Sequence, residues 1–147
     1  MTERSFVDSN VLVYLDDRAA STKREQAEGL VRRLAETRQG VLSTQVLAEY
    51  FAAAVGKLGV PAEHARAKVA ALEVFEIGRP SFDDLLAAID LHRLHGFHIW
   101  DALIVRMALV ARCSVLYSED FQDDRRIDGL RIVNPFRFRP LEPDRPK

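Results

Sequence analysis

Apolar positions along the chain alternate between two patterns. Ser5-Phe6-Val7-Asp8, Val41-Leu42-Ser43, Val74 to Ile77, Val115-Leu116-Tyr117 and Leu130 to Val133 are short apolar runs bounded by polar or turn residues, and they read as five strands. Between them, spacings of three and four predict helices. Thr22 to Arg38 places Ala27, Leu30, Val31 and Leu34 on one face, with Gly40 as its expected C-cap. Thr44 to Leu58 does the same with Val46, Leu47, Tyr50, Phe51 and Ala54, until Gly59-Val60-Pro61 breaks it. Ala62 to Leu72 reads as another helix. Ser81-Phe82-Asp83-Asp84 has the form of a capping box, opening a helix that runs to about His95 and stops at Gly96. Trp100 to Arg112 predicts a buried apolar helix, with Trp100 in the core. Asn10 to Leu15 fits either a continued strand or a helix.

Strands alternating with helices predict an α/β fold with a parallel sheet and helices on both faces. A chain of 147 residues suits one domain, long enough to bury roughly 70% of its unfolded surface. The segment from Phe136 to Lys147 is rich in Pro and Arg and is a poor core former. The expected division is therefore a domain over 1–136 and a tail over 137–147.

Composition narrows the function classes. With 48% hydrophobic and 29% charged residues the chain reads as an ordinary globular protein. No apolar run approaches the roughly 20 residues that span a bilayer. Met1-Thr2-Glu3-Arg4 leads straight into a strand without a signal peptide, so the expectation is a cytoplasmic protein with no membrane partner. Cys113 is the single cysteine, which excludes an internal disulfide and a thiolate metal cluster and suggests a buried thiol. The net charge of −1 does not advertise nucleic-acid binding. If the substrate is RNA, the basic residues must be arranged rather than abundant.

The candidate chemistry comes from where acids fall. In a parallel α/β sheet each helix begins at the edge where the preceding strand ended, and ligands bind along that edge near the point where strand order reverses. Asp8 ends the first strand. Glu49 lies in the helix after the second strand, only about 7–8 Å along it at 1.5 Å per residue. Asp101 opens the helix that feeds the fourth strand, and Asp120 follows that strand. Four carboxylates distant in sequence thus meet at one edge. Hard divalent cations want oxygen ligands, and Mg²⁺ takes one or two carboxylates with waters and substrate phosphate. Such a cluster suits metal-assisted in-line phosphoryl displacement, the chemistry that a nuclease or a metal-dependent phosphatase would share.

These residues also carry a resemblance. Phe6-Val7-Asp8-Ser9-Asn10-Val11-Leu12, Thr44-Gln45-Val46-Leu47-Ala48-Glu49, Trp100-Asp101-Ala102-Leu103-Ile104, Leu116-Tyr117-Ser118-Glu119-Asp120-Phe121 and the closing Gly129 to Phe136 stand in an order and spacing that resembles the PIN-domain family. Within it the chain is most similar to VapC-type toxins of bacterial toxin–antitoxin pairs, over about residues 4 to 136. The resemblance implies a three-layer fold around a five-stranded parallel sheet ordered 3-2-1-4-5. It implies an endoribonuclease dependent on Mg²⁺ or Mn²⁺, often cutting one tRNA or rRNA site, with Asp8, Glu49, Asp101 and Asp120 as catalytic and metal-binding residues. It implies a homodimer and a cognate antitoxin. Ser118 matches a supporting hydroxyl, and Ser9 and Asn10 match residues that order the site. His98 departs from the small hydroxyl residue common there, and Asp124 from a frequent glycine. Asp123 stands as a rival or helper to Asp120.

Other residues have blander readings beside the functional ones. Asp83 and Asp84 read as helix caps. His92, His95 and His98 read as surface rather than a metal cluster, with His98 able to face substrate. Lys23-Arg24, Arg32-Arg33 and Arg125-Arg126 are solvated faces or phosphate contacts. The alternatives to a toxin are an RNA-processing nuclease without an antitoxin and a non-catalytic scaffold that binds RNA or a partner.

Overall fold

The structure, a computed structural model, describes residues 3–137. The expected tail therefore lies outside the described residues, apart from Arg137. Chain order runs β1 Ser5–Val7, α1 Ser9–Val13, a 3-10 turn Tyr14–Asp16, α2 Ser21–Thr37, β2 Gly40–Ser43, α3 Thr44–Gly56, α4 Ala62–Ala71, a 3-10 turn Leu72–Val74, β3 Glu76–Gly78, α5 Phe82–His95, α6 Ile99–Val110, β4 Val115–Tyr117, β5 Arg126–Ile127 and β6 Leu130–Val133. Asn10 to Leu15 resolves as helix and turn. No helix among the described residues is long and apolar enough to cross a membrane.

The sheet order is β3-β2-β1-β4-β6-β5. β1 sits at the centre, parallel to β2 and β4, with Phe6 opposite Val41 and Leu116. Every residue of β1 and β2 is buried, as expected of strands covered on both faces. Phe6, Val11, Leu42, Tyr50, Ile104, Leu116 and Ile132 anchor the core where the helices close on the sheet.

One expectation about the sheet is corrected. Its five parallel strands follow the order 3-2-1-4-5, with β6 as the fifth, but a sixth strand, β5, pairs antiparallel with β6. Asp128 (φ 50°) and Gly129 (φ 85°) turn the chain between them in the left-handed conformation that two-residue hairpin loops require. A two-residue strand carries no periodicity to read.

Two smaller expectations also change. Gly40 does not cap α2; Arg38 does, at φ 58°. Gly40 instead belongs to β2, where an added Cβ would lie 2.2 Å from the Phe75 ring. Trp100 is not core: it is 57% exposed in the first turn of α6. The capping box does form, Ser81 with Asp84, and Asp84 also pairs with Arg106 at 2.9 Å. The backbone N–H of Ser81, then Arg106, hold the Asp84 carboxyl below its usual range. Cys113 is buried, and burial pushes its thiol up to about 12.

Candidate active site

β1 is extended by one further backbone bond, Asp8 N–H to the Tyr117 carbonyl at 2.9 Å, and α1 begins at once. Asp8 is therefore both the end of the central strand and the N-cap of α1, accepting from Ser9 N–H at 2.7 Å. It is only 2% exposed. Burial raises its pKa from 3.8 to about 6, opposed by hydrogen bonds from Ser118 and Ser9 and reinforced by the charges of Asp120 and Glu49.

Short side chains tie the other acids to it. Ser9 Oγ donates to Glu49 at 2.9 Å and lies 3.4 Å from Asp8. Asn10 Nδ2 lies 3.2 Å from Asp8, 3.2 Å from Ser118 Oγ and 3.1 Å from Asp120. Asn10 Oδ1 accepts the backbone N–H of Glu119, which fixes the loop after β4 against α1. Ser118, fully buried, donates to Asp8 at 2.7 Å and accepts from Asp120 N–H at 3.1 Å. Asp101 is half-buried. Its pKa is raised by burial first, then by Asp120, with Glu49 adding less and His98 opposing. The charges of Asp120 and Glu49 thus act on both Asp8 and Asp101 at one sheet edge.

Of the two rivals after β4, Asp120 is the one bonded to Asn10. Asp123 accepts from Asn134 N–H at 2.7 Å and Arg137 at 3.0 Å, at the end of β6. Asp124 pairs with Arg131 at 2.7 Å. The histidines are used separately: His92 Nδ1 meets the Phe97 carbonyl at 2.6 Å, His95 packs on Phe97, and His98 caps α6. Arg125 stacks on Phe97 at 4.5 Å. Lys23 pairs with Glu119 and lies over the rings of Tyr14 and Phe136.

Gln45 was not singled out from sequence, and it matters. Its Nε2 donates to Glu49 at 2.9 Å and to the Trp100 carbonyl at 3.1 Å, joining α3 to α6 beside Asp101. The readable signal was its position four residues before Glu49 on one helix face.

Ser9, Asn10, Tyr14, Asp17, Glu49, Lys57 and Asp120 are among the residues lining a groove of about 360 Å³ at this edge. Among the described residues no three His, Cys, Asp or Glu side chains form a ready cage for a metal ion. The donor set nonetheless fits a hard divalent cation: it is all oxygen, crowded with like charge, and includes a buried carboxylate whose ionisation a cation would favour.

The PIN domain family model matches residues 5–129. The fold is similar to a toxin–antitoxin complex from Klebsiella pneumoniae, with a TM-score of 0.69 and 21% identity over 91% of this chain and 99% of that one. It is also similar to VapC20 of Mycobacterium tuberculosis, a sarcin–ricin-loop-cleaving toxin (TM-score 0.62, 19% identity, 79% and 89% covered). A third similar structure is VapBC2 of Rickettsia felis bound to promoter DNA (TM-score 0.64, 20% identity, 88% and 97% covered). No curated protein matches the chain.

Proposed function

The chain belongs to the PIN-domain family, and from that premise we propose that it is a metal-dependent endoribonuclease, the toxin of a toxin–antitoxin pair. The observation that carries this reading is the buried Asp8, linked through Ser9 to Glu49 and through Asn10 to Asp120. A fold does not need an acid there. Burying a carboxylate among like charges works against stability, and such placements cluster where chemistry is done.

Asp8, Glu49, Asp101 and Asp120 would hold Mg²⁺ or Mn²⁺. When bound, the cation supplies neutralisation of the scissile phosphate and acidification of water for in-line attack. The chain's own residues prepare for it. Ser9, Asn10 and Ser118 fix the carboxylate orientations, and Gln45 fixes Glu49. Lys57 in the groove wall offers a contact to phosphate, and the exposed Trp100 beside Asp101 offers a face on which an unpaired base can stack.

The partner reading follows the same premise. Phe82, Leu85, Leu86 and Ile89 leave an apolar stripe of α5 exposed at i, i+3, i+4, i+7 spacing. A second copy of the chain would cover it, giving the homodimer. Leu86→Glu is then expected to give a monomer in light scattering, and a dimer that survives the change would move the interface elsewhere.

The test of the activity is cleavage of tRNA and rRNA by purified protein with Mg²⁺ or Mn²⁺, with Asp8→Asn alongside. Equal cleavage by both proteins refutes it. Growth arrest on induced expression, relieved by the product of a neighbouring small reading frame, tests the toxin role. Activity without arrest favours an RNA-processing nuclease.

A further inference from the structure

A second cavity adjoins the acidic groove and has the opposite character. It is larger, about 750 Å³, and Leu58 lines both. Arg18, Arg24, His64 and Lys68 stand in its wall, with Asp16 as the acid among them. Asp16 is already neutralised: it accepts from Tyr50 Oη at 2.6 Å and pairs with Lys68. Arg18 and Arg24 form no salt bridge among the described residues. Arg24 Nε is buried with no acceptor. An unpaired buried donor on a charged group is costly, and an anionic oxygen in the cavity would satisfy it. The first turn of α4, which no side chain caps at Pro61, contributes Pro61 and His64 to the same wall and adds its positive end.

We propose that this cavity binds phosphate of the RNA backbone and holds the strand that leaves the acidic groove. The inference rests on the ribonuclease reading for the identity of the ligand. A cluster of carboxylates repels RNA, and the chain as a whole carries a net charge of −1. Binding therefore needs cations concentrated close to the groove. Two unneutralised guanidiniums next to it meet that need, and their fork geometry suits phosphate oxygens.

The test measures binding without cleavage, in EDTA, by fluorescence anisotropy of a labelled single-stranded RNA of roughly 10 nucleotides across a salt series. Arg18→Gln/Arg24→Gln is expected to weaken binding at low salt at least tenfold. It should flatten the slope of log K against log salt by about 1.4, two contacts at about 0.7 each. The melting temperature should hold, because neither side chain loses a hydrogen bond or ion pair among the described residues; Arg18→Gln alone should give half the slope change and needs no buried substitution. An unchanged slope overturns the proposal. So does polyglutamate displacing the RNA better than polyphosphate, which would assign the cavity to an acidic peptide. Saturation by inorganic phosphate with no change in RNA slope would assign it to a free anion and also overturns the proposal. Retained cleavage with an unchanged slope sinks this inference alone, and a changed slope with no cleavage sinks the nuclease reading alone.

Discussion

Replacing Asp8 with asparagine is expected to abolish cleavage while stabilising the metal-free protein. Asp8 is buried, and its pKa of about 6 stands well above the 3.8 of an unperturbed carboxyl. At 1.36 kcal/mol per unit, keeping it ionised in the folded state costs about 3 kcal/mol. The sign follows from proton binding. Between pH 4 and 6 the folded state binds the proton that the unfolded state has released, so wild-type stability falls as pH rises through that window and stays low above it. Asparagine carries no charge and escapes the penalty. Its oxygen can still accept from Ser9 N–H, but its amide then faces Ser118 and Asn10, both donors to Asp8 in the wild type. Losing that match costs about 1 kcal/mol. The net gain is about 2 kcal/mol at pH 7.5, or roughly 4–8 °C in melting temperature for a chain of this size. Thermal melts in EDTA at pH 7.5 and pH 4 measure it. The gain should vanish or reverse at pH 4, where both side chains are neutral. Added Mn²⁺ should raise the wild type and leave the variant unmoved. A variant that melts below wild type at pH 7.5, or by the same margin at both pH values, would refute the reasoning.

Other substitutions separate support of the site from support of the fold. Asn10→Ala removes the amide shared by Asp8, Ser118 and Asp120 and is expected to lower activity about 10–100-fold in steady-state cleavage, with the fold intact by circular dichroism. Asp84→Ala breaks the capping box and the Arg106 pair; urea denaturation should show a loss of about 1–2 kcal/mol, with cleavage per folded molecule unchanged. Gly40→Ala forces a methyl into the Phe75 ring and should cost about 1–3 kcal/mol by the same assay, far from the groove.

What could be read from sequence followed the range of each signal. Runs such as Phe6-Val7 and Val115-Leu116 are apolar because parallel strands are buried on both faces, so their positions were legible one strand at a time. Their order across the sheet was not; that expectation came from resemblance. β5 was missed because two residues have no period and one of them is the charged Arg126. Gly40 was misread because its constraint comes from Phe75, far along the chain, and nothing near Gly40 announces it. Trp100 was misread because the helical pattern places it beside apolar neighbours, whereas its exposure depends on where α6 begins, against the first turn of α3.

The same distinction governs the site. Its acids were visible because each follows a strand or opens a helix, and edge topology turns that local fact into proximity. The residues that make proximity tolerable were harder to see, because their role exists only between elements. Asn10 has one side chain to offer, and it reaches β1, the end of β4 and the following loop together. Ser9 bridges acids from β1 and α3, and Gln45 reaches from α3 to α6. These bonds hold the carboxylates in place without closing them into a cage. A tighter cluster would add to the repulsion from Asp120 and Glu49 that, after burial, lifts Asp8, and the metal-free fold would bear it. Burial first and like charge second weigh on Asp8 in the metal-free fold, which is why removing its charge, rather than any packing contact, is the perturbation that most directly opposes stability to function.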